Sequence, residues 1–262
     1  MTKPVLGLSA CLVGQAVRYD GGHKDQPWLH LAVLPWVSPV IVCPEAGAGL
    51  GVPRPPVHLV AGPAGPRMIG VADGRLDVTE HVTAYIGRWL DSLAAVDGFI
   101  VKARSPSCAA HDAPLVLESG EVVAGSGLFT RQLRTHLPLL PIDDEAALSD
   151  DQARQAYFDR VFLYRALRIA RATDEREAWD AFFKLALAVG NLRELSSGFG
   201  EVVTHIRQLR EHPRADTRRS VVDQIFDLAL APRAPHKAQH WLSDDANVRE
   251  LSAAERALRF AL

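Results

Sequence analysis

The chain holds three cysteines, Cys11, Cys43 and Cys108, and each stands at or just beyond the end of a short apolar run. Those runs, residues 5–10, 39–43 and 99–102, are too short and too β-branched for helices and read as buried strands. In an open parallel sheet the C-terminal strand ends share one crevice, where ligands bind. Three thiols from distant segments are therefore expected to meet there. Buried, inert thiols are the ordinary fate of free cysteine, but that reading leaves the shared placement unexplained. An odd count in a chain of this length also argues against a disulfide framework. Clustered thiolates suit a soft metal site: zinc, copper or iron–sulfur.

The neighbours add acid–base chemistry. Arg18, Lys102 and Arg104 bring positive charge that is expected to favour thiolates. Glu45 follows Cys43 by two residues, and Ser105 and Ser107 precede Cys108. A carboxylate and hydroxyls beside a metal are the groups that proton transfer needs. Four-iron clusters that only pass electrons are held by four cysteines; three would leave one iron open to act as a Lewis acid. Zinc on three thiolates and His111, of Cys108-Ala-Ala-His111, is the rival. Spacing alone leaves the two level, since neither includes a Cys-x-x-Cys pair.

Positioning these groups takes a strand-and-helix alternation that runs to about residue 144. Helices are expected at 79–95, with Asp77 and Glu80 at its start and Val82, Tyr85, Ile86, Trp89, Leu90 and Leu93 on one face, and at 127–136. Residues 57–60 and 67–78 read as an antiparallel excursion with a turn at Asp73-Gly74. Residues 115–117 and 122–124 read as a hairpin around Ser119-Gly120, and 137–142 as a last strand. Beyond residue 150 glycine thins out and a 3.6-residue period takes over, predicting helices near 151–172, 175–190, 198–211, 217–231 and 246–261. The expectation is an α/β fold: a Rossmann-like, mostly parallel sheet domain over 1–145, then an all-α domain over 146–262.

Composition excludes some classes. No stretch reaches the ~18–20 apolar residues of a membrane span. About seven apolar residues precede Leu8-Ser9-Ala10-Cys11, short for a signal peptide, so a cytoplasmic protein without membrane attachment is expected. Acids and bases nearly balance, 31 against 29, without the basic stripe usual in nucleic-acid binders. Arginines do gather in the helical part (Arg154, Arg165, Arg168, Arg171, then Arg207, Arg210, Arg214, Arg218 and Arg219). They alternate with acids, as on any solvated helix face. Tyr157, Phe158, Phe162 and Tyr164 among them read as core, with base stacking the lesser alternative.

Two glycine-rich stretches tempt a ligand reading. Gly47-Ala-Gly49-Leu-Gly51 cannot open a dinucleotide-binding helix, because Pro53, Pro55 and Pro56 follow; it either lets backbone pass close to a metal group or shapes a turn. Gly125-Ser126-Gly127 before a helix either offers amides to an anion or caps the helix. Asp20-Gly21-Gly22 reads as a turn; Arg18 and Tyr19 beside it either contact substrate or are simply solvated.

Four stretches, "SACLVGQAVRYDGGHK", "VCPEAGAGLGVPRPP", "KARSPSC" and "LPLLPID", together resemble the thiouracil desulfidase (TudS-like) family over roughly residues 4–145. The resemblance implies a Rossmann-like domain with a [4Fe-4S] cluster on three cysteines, matching Cys11, Cys43 and Cys108. It also implies catalytic roles for Glu45 and Ser105. Substrate contacts are expected from Ser9, Arg18, Tyr19, Asp20 and Ser107. Some relatives fuse this domain to a helical region and remove sulfur from 4-thiouridine in tRNA, and "AYFDRVFLYRALR" is similar to that region. The expected activity is replacement of sulfur by oxygen in a thiolated pyrimidine, with release of hydrogen sulfide. The substrate is then 4-thiouridine of tRNA or a free 2-thiouracil, tRNA being favoured by the extra helical domain. The alternative is a non-catalytic iron–sulfur or zinc sensor; an electron carrier would want a fourth protein ligand.

Overall fold

The computed structural model describes residues 3–189 apart from 91 and 174. The chain forms two compact units that divide after Arg154. The expected helices at 198–211, 217–231 and 246–261 lie outside the described residues.

In the first unit, one sheet is wholly parallel. It comprises β1 (Val5–Ser9), β2 (Ser38–Val42), β5 (Gly98–Val101) and β8 (Ile142–Asp144), in the order β2-β1-β5-β8. Leu6, Leu8, Phe99, Ile100 and Val101 are buried, as expected of parallel strands covered on both faces. Because β2, β1 and β5 run alongside one another in one direction, their C-terminal ends open on one edge. Cys11 follows β1 in a 3₁₀ turn, Ala10–Val13, and Cys43 follows β2 directly as the N-cap of a one-turn helix, α1 (Pro44–Gly47).

A second sheet was not foreseen as such. It joins β3 (Val57–Val60), β4 (Arg67–Gly70), β6 (Ala113–Val116) and β7 (Val122–Gly125) in the order β4-β3-β6-β7. The two outer pairs are antiparallel hairpins, and β3 and β6 pair in parallel between them. Both hairpins follow the expected segments. The Asp73-Gly74 turn, however, lies after β4 and folds the chain back so that Asp77 bridges Ile69; residues 61–66 make the hairpin connection. The last strand starts at Ile142 rather than 137, because residues 137–140 close a turn (Leu140 N–H to Leu137 O, 3.0 Å) and Pro138 and Pro141 have no N–H for a ladder.

Helix α2 (Thr79–Leu90) packs against α1, β4 and α3 (Leu128–His136). Asp77 accepts the Thr79 N–H at 3.0 Å and caps α2. The expected 79–95 helix ends in a separate 3₁₀ turn, Ser92–Ala95. Helix α4 (Asp151–Thr173) crosses the boundary between the units, and α5 (Arg176–Val189) follows; both match expectation. Tyr157, Phe158, Phe162 and Tyr164 on α4 are buried, so they are core side chains and present no stacking face. Arg165 is buried too. Arg154 stacks on Trp28 at 4.5 Å and donates to the Leu148 and Ser149 carbonyls. No helix of the described residues is long and apolar enough to cross a membrane.

One contact locks the third cysteine in place. At the start of α3, the N–H groups of Gly127, Leu128 and Phe129 donate to the carbonyls of Ala109, Pro106 and Ser107 at 2.9, 3.1 and 2.8 Å. The Thr130 hydroxyl donates to Cys108 O at 2.5 Å. The amides considered for an anion are thus spent on the Cys108 turn, and Gly125-Ser126-Gly127 is no anion site. A Cβ at Gly127 would lie 2.3 Å from the Ser107 carbonyl carbon and oxygen and 2.6 Å from Cys108 N, all of it backbone that has no room to yield. Gly127→Ala should lower unfolding stability by about 1–3 kcal/mol, the usual cost of overpacking. A urea midpoint unchanged from the parent protein would contradict this contact.

Candidate active site

A cavity of about 460 Å³ opens at the ends of the parallel strands, and Cys11, Cys43 and Cys108 all line it. Ser9, Arg18, Tyr19, Glu45 and Ser105 line it as well. Asp20 and Ser107 stand outside the lining. Asp20 is an exposed partner of Arg18 (3.4 Å), and Ser107 is fully buried behind Glu45.

Glu45 sits in the first turn of α1 and is nearly buried. Its Oε1 accepts the Ser107 hydroxyl at 2.7 Å. Its Oε2 accepts the Arg54 Nε–H at 2.9 Å and is ion-paired with Nη2 at 2.8 Å. Arg54, whose side chain is 5% exposed, was not singled out in the sequence. Its signal was its place between Pro53 and Pro55, in a stretch read only as forbidding a helix. After α1, Gly49 and Gly51 take φ of 82° and 78°, left-handed values that glycine adopts without strain. The glycine-rich stretch therefore shapes the turn that brings Arg54 back onto Glu45.

Ser105 caps the turn that carries Cys108. Its Oγ accepts the N–H groups of Cys108 at 3.1 Å and Ser107 at 3.3 Å. A hydroxyl has two acceptor lone pairs and one proton, so Ser105 can meet a ligand only as a donor. Ser9 is buried, and its Oγ accepts the Lys102 N–H at 3.1 Å. Lys102 lines the cavity but is ion-paired with Glu145 and donates to Ala103 O at 3.0 Å. Glu145 was not foreseen either. Arg104, also in the lining, has φ 60° and donates its N–H to Asp112 Oδ1 at 2.8 Å.

Burial, not charge, governs the thiols. Desolvation pushes the Cys11 thiol up to about 11, helped by repulsion from Cys43 and opposed more weakly by Lys102 and Arg18. The Cys43 thiol is raised by burial. Cys108 is pushed well above the usual thiol range by burial and then by repulsion from Cys43. The expected thiolate stabilisation by Arg18, Lys102 and Arg104 is thus outweighed. Mutual repulsion among the three does place them in one electrostatic neighbourhood.

Among the described residues, no group of three His, Cys, Asp or Glu side chains is placed to hold a single metal ion. Zn–S bonds of ~2.3 Å would require the sulfurs within about 4 Å of one another. His111 is exposed and outside the cavity lining, so the three-thiolate, one-imidazole zinc site is not assembled. A four-iron cluster spreads its ligands over a larger volume, and three thiols around one cavity fit it.

The model of 2-thiouracil desulfurases matches residues 6–145, a stretch that includes all three cysteines, Glu45, Arg54 and Ser105. The chain belongs to the 2-thiouracil desulfurase family. A solved structure described as a [4Fe-4S]-dependent thiouracil desulfidase, TudS, is 28% identical over 57% of this chain and 94% of that one, with a TM-score of 0.44. No curated protein matches. Within the family region, the structure joins the expected cysteines, Glu45 and Ser105 at one cavity and adds Arg54, while Glu145 stands outside the lining as the partner of Lys102.

The thiols of the metal-free protein should resist alkylation at pH 8, Cys11 reacting only as pH nears about 11. The raised value is a gain of the folded state in its protonated form. It contributes stability below the unfolded thiol value near 9, lost as pH rises through about 11. Iodoacetamide labelling read by mass spectrometry checks this, with urea-unfolded protein as reference. Equal labelling of folded and unfolded chains at pH 8 would contradict it.

Proposed function

We propose that the protein is a desulfidase that hydrolyses the carbon–sulfur bond of a thiolated pyrimidine, using a [4Fe-4S] cluster on Cys11, Cys43 and Cys108. The observation that carries the reading is the meeting of these three thiols with the Glu45 carboxylate at one cavity, in a chain of the 2-thiouracil desulfurase family. When bound on three thiolates, such a cluster leaves one iron open as a Lewis acid toward the substrate's sulfur.

The chain's own residues supply the rest. Glu45 takes a proton from a water whose oxygen attacks the carbon bearing sulfur. Ser105, restricted to donation, gives a hydrogen bond to the ring or to the departing sulfur. The balance is C=S plus H₂O to C=O plus H₂S, with no net redox change. Ser9, Arg18 and Tyr19 form part of the wall on which the base rests.

Within this reading the substrate is 4-thiouridine in tRNA or free 2-thiouracil. What supports tRNA is the chain beyond residue 145, whose described part is α4 and α5, since a free base needs no such platform. The reading also places the protein in the cytoplasm.

Anaerobic reconstitution should load about four iron and four acid-labile sulfide per chain, and Cys108→Ser should lose most of both. The loaded protein should release sulfide from 2-thiouracil or from 4-thiouridine-containing tRNA. Glu45→Ala should keep the iron yet lose about 10²–10⁴-fold in rate, as for loss of a general base. Full activity in Glu45→Ala would overturn the mechanism, and a protein that holds iron but releases no sulfide would favour the sensor reading.

A further inference from the structure

The hydrogen bonds around Glu45 do more than hold it. An ionised carboxylate has about four lone-pair sites, two on each oxygen. Oε2 accepts the Nε–H of Arg54 and has Nη2 of the same guanidinium 2.8 Å away as its ion-pair partner, so that oxygen is covered by the guanidinium. Oε1 accepts one donor, the Ser107 hydroxyl, and keeps one site open. We propose that Arg54 is a positioning residue that selects Oε1 of Glu45 as the atom that takes the proton from water. The proposal rests on the reading above that Glu45 acts as the base.

The way Arg54 is built in supports a role that lysine could not fill. Its Nη1 donates to the carbonyls of Val17 and Gly51, each at 2.9 Å. Three of its five N–H donors are therefore hydrogen-bonded and Nη2 lies against the carboxylate, a planar fork that the three donors of an ammonium cannot copy. The backbone is held as firmly: Arg54 N–H donates to Tyr19 O at 2.9 Å. Prolines on both sides, Pro53 and Pro55, fix their own φ and remove competing donors. One guanidinium thus ties the catalytic carboxylate to the segment that carries Arg18 and Tyr19 and to the turn that follows α1. Without the fork, Oε2 has open sites again and the carboxylate is free to rotate. Water would then face either oxygen at the wrong distance, and small misplacements of this kind cost about 10²-fold in rate.

The test uses the reconstituted full chain with Arg54→Lys, Arg54→Ala and Glu45→Ala. Sulfide release from 2-thiouracil and from 4-thiouridine-containing tRNA, iron per chain and the thermal midpoint are measured for each. Arg54→Lys is expected to lower kcat by about 100-fold with KM and iron content close to the parent. Added methylguanidinium should restore part of kcat in Arg54→Ala and none in Glu45→Ala, because only the former lacks just the fork. Parent-like kcat in Arg54→Lys, or a loss that tracks iron or thermal stability in both Arg54 variants, would overturn the proposal while leaving the desulfidase reading intact. A fully loaded parent protein that releases no sulfide from either substrate would overturn both.

Discussion

The cavity depends on a crowded contact between two stretches of backbone. The opening amides of α3 donate into the turn at residues 105–108, and Gly127 lies so close to Ser107 and Cys108 that no side chain fits between them. Cys11 and Cys43 need little such help, because they follow β1 and β2 within two residues. Cys108 lies seven positions beyond β5. The α3 contact, the Ser105 cap and the Ser107–Glu45 hydrogen bond return it to the edge where the other two thiols already are.

Once the thiols are together, burial sets their chemistry. Three thiolates in one dry pocket repel one another, and Lys102 and Arg18 do not offset the lost hydration. All three thiols are therefore held toward the protonated form. Taking up a metal group must displace those protons, so loading is favoured by higher pH. Across the same cavity the opposite solution is used for Glu45. Its carboxylate is matched by the Arg54 guanidinium, with Ser107 hydrogen-bonded to the other oxygen. A buried carboxylate needs such partners, because an unpaired one would be too costly to hold. Neutral sulfur and paired carboxylate thus coexist in one pocket.

The parts of the fold legible in the sequence are those whose signals are local. Runs such as 5–10 and 99–102 announce buried strands because both faces of β1 and β5 are covered. The cysteines could then be placed at strand ends before any pairing was known. Ser119-Gly120 marked its hairpin, and the apolar face of α2 marked its helix. Pairing between distant segments carries no such mark: nothing in residues 57–60 points to their parallel partner at 113–116. Arg54 was hidden for a similar reason. Its target is nine residues away across a turn made by Gly49 and Gly51, and an arginine among prolines reads as a loop residue until the turn is closed. Charge was misjudged at the thiols because sequence shows which cations are near but not how much water is lost.

The central claim is that this pocket replaces sulfur by oxygen taken from water. The most direct measurement is turnover of 2-thiouracil by the iron-loaded protein in H₂¹⁸O, with the product analysed by mass spectrometry and sulfide counted in parallel. One ¹⁸O in the uracil for each sulfide released is the predicted result. Sulfide released without label in the product, or no release from protein carrying its full iron, would contradict the account.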